Sequence, residues 1–111
     1  MATKKKKSSP VLSKKQLRFL RGLAHNLTPL AMIGQQGLTT QVIKAVEEVF
    51  RNHELVKVKV QSTAAVDRPE TAAELAKKTG AALVQIIGRI IILYRPNKDL
   101  PPDQTIHIPK G

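Results

Sequence analysis

The sequence contains no cysteine and no tryptophan, and its aromatic residues are two phenylalanines and one tyrosine. The lack of cysteine excludes disulfides, thiolate metal sites and a thiol nucleophile. So few aromatics argue against an RNP-type sheet, in which aromatic side chains stack on bases. No apolar run approaches the roughly 18 residues of a membrane span, and the lysine-rich N-terminus lacks the apolar segment of a secretory signal.

Acidic residues are also scarce. The 111 residues include 8 acids against 19 lysines and arginines, which gives a net charge of +11. Residues 1–25 contain no acid and these basic residues: Lys4, Lys5, Lys6, Lys7, Lys14, Lys15, Arg18 and Arg21. A basic patch on a nearly balanced body favours a polyanionic partner, nucleic acid first and an anionic membrane surface second.

No catalytic or metal-binding pattern is present. His25, His53 and His107 are far apart and lack metal-ligand spacing, and the acids form no paired-carboxylate arrangement. The serines have no nucleophile-elbow context, and the only closely spaced glycine pair lacks the length and lysine of a P-loop. We therefore expect a protein that is not an enzyme and needs no metal or cofactor.

Hydrophobic periodicity predicts one α/β domain over residues 11–96, in the order α-β-α-β-α-β-β. Alternating strands and helices predict parallel crossovers, and the final hairpin adds an antiparallel pair, so we expect a four-stranded mixed sheet with three helices. The second and third helices should share one face of the sheet. Residues 1–10 are predicted to be a disordered basic tail, and residues 97–111 a Pro-containing C-terminal tail with a marginal strand at 105–108.

The first helix has a clear start, because Ser13 and Gln16 have the spacing of a capping box. Its leucines lie on one face, and a basic stripe lies on another: Lys14, Arg18, Arg21 and His25. Residues 30–33 are wholly apolar and predict a buried strand.

Further along, residues 55–61 alternate strictly, so Lys57 and Lys59 should point away from the core that Val56, Val58 and Val60 enter. Glu47 and Arg51 have the spacing of an exposed helical ion pair. The third helix should start at Asp67 and end at Gly80, and Gly88-Arg89 has the pattern of a type II′ hairpin turn.

The segment Gly34-Gln35-Gln36-Gly37 lies between a predicted strand and a predicted helix. Glycines at this point let the backbone turn tightly, so free amides and the positive end of the helix dipole can face an anion. A GxxG segment is a weak signal alone, since it also occurs in ordinary turns. Its basic surroundings make it a candidate phosphate-binding loop.

Several motifs together resemble the CRM domain family (chloroplast RNA splicing and ribosome maturation), in its bacterial stand-alone, YhbY-type form. The resemblance extends from about Leu12 to Arg95. It rests on these segments, in this order: Gly22-Leu23-Ala24-His25, Ile33-Gly34, Gly37-Leu38-Thr39, His53-Glu54-Leu55-Val56-Lys57-Val58-Lys59, Thr79-Gly80-Ala81, Gln85-Ile86-Ile87-Gly88 and Leu93-Tyr94-Arg95.

The resemblance implies a fold similar to the C-terminal domain of translation initiation factor three. It also implies RNA binding through the GxxG loop and a basic helix, and association with precursors of the large ribosomal subunit in the cytoplasm. Relatives often carry a basic residue between the two glycines, whereas this chain has Gln35 and Gln36. The loop should therefore supply shape and amide donors, and the first helix should supply charge.

We predict ribosomal RNA as the partner, no membrane partner and a monomeric protein. The predicted RNA-binding residues are Gly34, Gln35, Gln36, Gly37, Lys14, Lys15, Arg18, Arg21, Lys57, Lys59, Arg89 and Arg95. The main alternative is a basic amphipathic adaptor that docks on an anionic membrane or an acidic protein. A binder of mononucleotide phosphates is a third possibility.

Overall fold

A computed structural model describes residues 9–110, so residues 1–8 of the predicted basic tail, which include Lys4 to Lys7, lie outside the described residues. The elements follow the predicted order: α1 Lys14–Ala24, β1 Ala31–Ile33, α2 Thr40–Phe50, β2 Leu55–Val60, α3 Arg68–Thr79, β3 Ala82–Ile87 and β4 Ile90–Tyr94, with a 3-10 turn at Pro102–Gln104. The predicted α/β class, with three helices and a four-stranded mixed sheet, is confirmed.

The sheet has the strand order β1-β2-β4-β3. β1 pairs in parallel with β2, while β4 is antiparallel to both of its neighbours. The last strand is therefore inserted between β2 and β3, and β1 and β3 form the two edges. Two rows of residues run across the strands on one face: Met32, Lys59, Ile90 and Ile87 lie side by side in one, and Lys57, Ile92 and Gln85 in the next.

Each face of the sheet has its own core. α2 and α3 cover one face, as predicted, and bury Val56, Val58 and Val60 there. α1 packs on the other face, where its Leu20 and Ala24 meet Leu55. Opposed residues in a strand pair point to the same face, so Lys57 and Lys59 belong to the α1 side of the sheet.

Local signals in the sequence set the ends of the elements. Both hydrogen bonds of the capping box at Ser13 are present, at 3.0 and 3.1 Å. Asp67 caps α3, and Gly80, with φ 70°, ends it. Gly88 has φ 55° and Arg89 has no positive φ, as a type II′ turn requires.

The first strand differs from its prediction. Residues 30–33 were expected to be buried, but Leu30 is 51% exposed and Met32 is 49% exposed, whereas Ile33 is fully buried. The cause is topological, because β1 is an edge strand and α1 packs against β2, β3 and β4. Alternate residues of β1 therefore face solvent.

The C-terminal segment packs on the domain instead of adding a strand at residues 105–108. Glu54, only 5% exposed, accepts hydrogen bonds from the amides of Asn97 and Ile106, both at 2.6 Å. Ile106 and Ile108 extend the core beneath α1, and the Gln16 amide donates to the Pro109 carbonyl. Hydrogen bonds to the buried Glu54 carboxylate and apolar contacts thus hold this segment, and it does not pair with the sheet.

Candidate nucleic-acid interface

The GxxG segment forms a closed turn. The Gly37 amide donates to the Gly34 carbonyl at 3.0 Å, which leaves Gln35 and Gln36 at the two corners. Both glutamines are exposed and have ordinary negative φ angles, as in a type I turn. The two side chains that distinguish this loop therefore point outward at its tip.

The two glycines have different structural roles. Gly37 is buried and has φ 76°, and a Cβ atom there would lie 3.3 Å from the Val66 side chain. Both conformation and space therefore demand glycine at this position. At Gly34 a Cβ atom would make only an ordinary contact, 3.4 Å from Oε1 of Gln61.

Backbone amides without a hydrogen-bond partner are present in the loop. The amides of Gln35 and Gln36 have no hydrogen-bond partner among residues 9–110. Thr39 caps α2 by accepting from the Val42 amide at 3.2 Å, which leaves the preceding amides of the first turn outside the helical ladder. The first-turn amides lie at the positive end of the α2 dipole, where helices commonly bind phosphate, and the loop amides directly precede them in the chain.

Gln61, which is not among the residues predicted from the sequence, connects this loop to the face of the sheet. Its side-chain amide donates to Sδ of Met32 at 2.9 Å, and its backbone amide donates to the Ile33 carbonyl at 2.9 Å. The Arg89 guanidinium reaches its carbonyl at 3.5 Å. Loop, strand end and β3–β4 turn therefore meet at one end of the sheet. Gln61 could have been found from the sequence, because the alternation that turns Lys57 and Lys59 to one face of β2 assigns Gln61 to the same face.

The two β2 lysines are not equivalent. Lys59 is exposed beside Met32 and Ile90. Lys57 is half-buried, and its Nζ donates to the Leu27 carbonyl at 3.0 Å, where the chain leaves α1. Lys57 therefore also holds the link between α1 and β1, whereas Lys59 is free to contact a ligand.

The basic stripe of α1 faces the same part of the sheet. At 3.6 residues per turn, Lys14, Arg18 and Arg21 fall within an arc of about 60°. The opposite flank of α1 contacts the C-terminal segment through Gln16 and lines a groove with residues 52–55 through Leu23. Since α1 crosses the strands, its basic flank points toward the half of the sheet that carries the two lysines.

The structure separates two predicted site residues from this surface. Lys15 lies on the outer side of α1, away from the sheet. Arg95 packs behind the sheet, where Nη1 donates to Glu47 and to the Thr79 carbonyl, both at 2.8 Å. Its guanidinium also lies 4.6 Å from the ring centroid of Phe50. These contacts assign Arg95 a structural role.

The interface has no acidic neighbour within its elements, because neither α1 nor any of the four strands contains Asp or Glu. Lys14, Arg18 and Arg21 form no ion pair with any residue in the described range. Across residues 9–110 we also find no cluster of three or more potential metal ligands. No helix in that range is long and apolar enough to cross a bilayer.

The fold and the turn define a small α/β domain whose GxxG loop adjoins a sheet face that carries Lys57 and Lys59. The chain belongs to the CRS1/YhbY (CRM) domain family, whose model matches residues 12–95. This confirms the resemblance inferred from the motifs.

Three comparisons illustrate this membership. An RNA-binding protein of Haemophilus influenzae is 43% identical over 88 residues, covering 79% of this chain and 89% of that protein. The probable RNA-binding protein YqeI of Bacillus subtilis is 39% identical over 89 residues, covering 80% and 93%. The solution structure of SAV1595 from Staphylococcus aureus is 38% identical and superposes with a TM-score of 0.75, covering 89% of this chain and all of that one.

Proposed function

We propose that this protein binds the backbone of ribosomal RNA in precursors of the large ribosomal subunit. One observation carries the proposal: the GxxG loop, Lys59, Arg89 and the basic flank of α1 border one surface whose helix and strands contain no acid. The names of the relatives, RNA-binding proteins and not enzymes, support RNA as the ligand. The ribosomal target and a cytoplasmic location follow from the family resemblance.

Two kinds of contact would hold the RNA. Backbone amides of the loop and of the α2 N-terminus bind one phosphate group closely, and the surrounding lysines and arginines bind others through charge. If roughly six phosphates are engaged, the slope of log affinity against log salt concentration should be about −4 to −5. With only three aromatics in the chain, the protein should recognise backbone and shape more than base identity.

The packing of α1 favours RNA binding over the competing adaptor model. A membrane-docking helix needs a free apolar face, and in α1 Leu20 and Ala24 are fully buried against the sheet. The test is pelleting with anionic liposomes in competition with RNA. We expect RNA to prevent any pelleting at moderate salt, and vesicle binding that RNA cannot displace would favour the adaptor.

The principal test measures affinity for large-subunit RNA fragments over a salt series. Replacing Arg18 and Arg21 with alanine should weaken binding to all fragments and make the slope less steep by about one unit per lost contact. The matched control replaces Lys77 and Lys78, which lie on α3 across the sheet. Salt-independent affinity, or an equal loss in the control, would refute the proposal.

The loop is tested by charge rather than bulk, because Gly37 cannot change without strain. Gln35→Glu with Gln36→Glu alters only exposed corners and should weaken binding on the order of tenfold through repulsion of phosphate. Gln104→Glu, on the exposed C-terminal turn, is the control. Crosslinking in cells then tests the target, since crosslinks not enriched in large-subunit precursors would exclude the ribosomal part of the proposal.

A further inference from the structure

Part of the sheet on the α1 side is left uncovered. α1 lies over the end of the sheet that contains Leu55, Ile92 and Tyr94, all of which are buried. The row at the other end, next to the GxxG loop, contains Met32, Lys59, Ile90 and Ile87. We call these four residues the sheet row.

The sheet row is more apolar than an ordinary exposed surface. Met32 is 49% exposed and Ile87 is 54% exposed, although both lie in strands. Ile90 between them is half-buried, and Lys59 is the charged member of the row. Ile90 and Ile87 are neighbours in this row, and Lys59 lies between them and Met32. Exposed apolar side chains grouped around a cation in this way are a candidate binding surface.

We propose that the sheet row is a platform for unpaired RNA bases, so that the ligand is a single-stranded RNA segment. This inference rests on the RNA binding proposed above and specifies the form of the RNA. The sugar–phosphate backbone would pass along the GxxG loop and the basic flank of α1, and the bases would lie on the aliphatic side chains.

The sheet row adjoins the GxxG loop, and this supports single-stranded RNA as its ligand. Gln61 touches Met32 of the row and also lies against Gly34, where a Cβ atom would be 3.4 Å from Oε1. A backbone phosphate held by the loop would therefore place its base directly beside the row. Since neighbouring strands are about 4.8 Å apart, four strands span about 14 Å, which is room for about two or three bases.

The chemistry of the row distinguishes single strands from duplexes. In an A-form duplex the faces of the bases are stacked, and a flat surface meets only sugars and phosphates. Aliphatic side chains such as Met32 and Ile87 gain from contact only if they cover apolar base faces, which unpaired nucleotides expose. Lys59 in the same row supplies a charge suited to the adjoining phosphate.

The experiment compares a single-stranded oligonucleotide with a hairpin duplex of equal phosphate number. The wild-type protein should prefer the single strand. Met32→Ser with Ile87→Ser should weaken single-strand binding about tenfold and leave duplex binding and the salt slope unchanged. Ile87→Ser alone is included because Met32 also contacts Gln61.

The matched control is Leu23→Ser with Leu27→Ser, since these leucines are 41% and 40% exposed but line the groove with residues 52–55, away from the sheet row. Circular dichroism checks that every variant is folded. A 2-aminopurine base in the single strand gives a second signal, because contact with the row should change its fluorescence in the wild type and not in the row variant.

The outcomes separate the two proposals. If the wild type binds neither RNA, the proposed function itself fails. If it binds RNA but does not prefer the single strand, or if the row variant binds the single strand normally, the base platform is wrong and backbone binding stands. If the free protein dimerises and the row variant does not, a second copy of the chain occupies the row and the inference is overturned.

Discussion

Replacing Arg95 with alanine should lower the free energy of unfolding by about 2–3 kcal/mol and leave RNA affinity unchanged. The sequence-based prediction placed Arg95 among the RNA-binding residues, but its side chain joins the end of β4 to α2 and α3. Nη1 contacts Glu47 in α2 and the carbonyl of Thr79 at the end of α3, both at 2.8 Å. The guanidinium also covers the Phe50 ring.

The magnitude comes from these contacts taken separately. Hydrogen bonds to a charged group contribute about 1.5–3 kcal/mol, and a cation–π contact adds about 0.5–1 kcal/mol. The side chains of Arg95 and Glu47 are 24% and 28% exposed, so solvent screens part of their attraction. If the screened pair with Glu47 contributes about 0.5 kcal/mol, the hydrogen bond to the Thr79 carbonyl about 1.5 kcal/mol and the cation–π contact about 0.5 kcal/mol, the sum is about 2.5 kcal/mol.

The assay is urea denaturation followed by circular dichroism. Arg51→Ala is the control, because Arg51 pairs with Glu48 at 3.6 Å and both side chains are at least 70% exposed. That variant should lose less than about 0.5 kcal/mol. Arg95→Lys should restore only part of the stability, since an ammonium cannot match the planar guanidinium over the ring.

Two results would refute this account of Arg95. One is a loss of stability no larger than that of the Arg51 control. The other is a loss of RNA affinity comparable to that of the Arg18 and Arg21 variants, which would return Arg95 to the interface that the sequence suggested.

Two further predictions concern the buried end of the sheet. Burial, and secondarily the nearby Glu54 carboxylate, raise the pKa of Tyr94 above its usual 10.0. Above pH 10 the unfolded chain loses the phenol proton before the folded protein does, so the free energy of unfolding should fall as pH rises toward the folded pKa. Urea denaturation between about pH 9 and 11 should show this decline. If the Tyr94→Phe variant shows the same decline, Tyr94 is not its cause. Glu54→Ala should release the C-terminal segment that its carboxylate holds, and increase trypsin cleavage after Lys98 on the order of tenfold. Cleavage no faster than in the exposed control Glu48→Ala would mean that apolar packing alone holds the segment.

Much of the architecture follows from short-range signals in the sequence. The capping box at Ser13, the cap at Asp67 and the left-handed glycine at Gly80 act through hydrogen bonds that span a few residues. The alternation of β2 likewise identifies its core-facing valines. Such signals require no knowledge of the rest of the chain, so element order, element type and family could be inferred without the structure.

Contacts between distant segments required the tertiary structure. Glu47 pairs with Arg95, 48 residues along the chain, and Arg51, its predicted partner, pairs with Glu48. The prediction that residues 30–33 are buried was wrong, because only the strand order shows that β1 is an edge strand. The C-terminal segment could not be placed either, since its attachment depends on a buried carboxylate at Glu54.

Some features of the candidate interface could likewise be predicted from the sequence, and others required the tertiary structure. The sequence by itself determined the GxxG turn, the basic stripe of α1 and the outward direction of Lys57 and Lys59 relative to the valine core. Only the tertiary structure decided that α1 covers half of the lysine face, that Gln61 joins this face to the loop, and that Arg95 lies behind it. The reason is that periodicity fixes which side of a strand a residue occupies, whereas the packing of distant elements decides what covers that side.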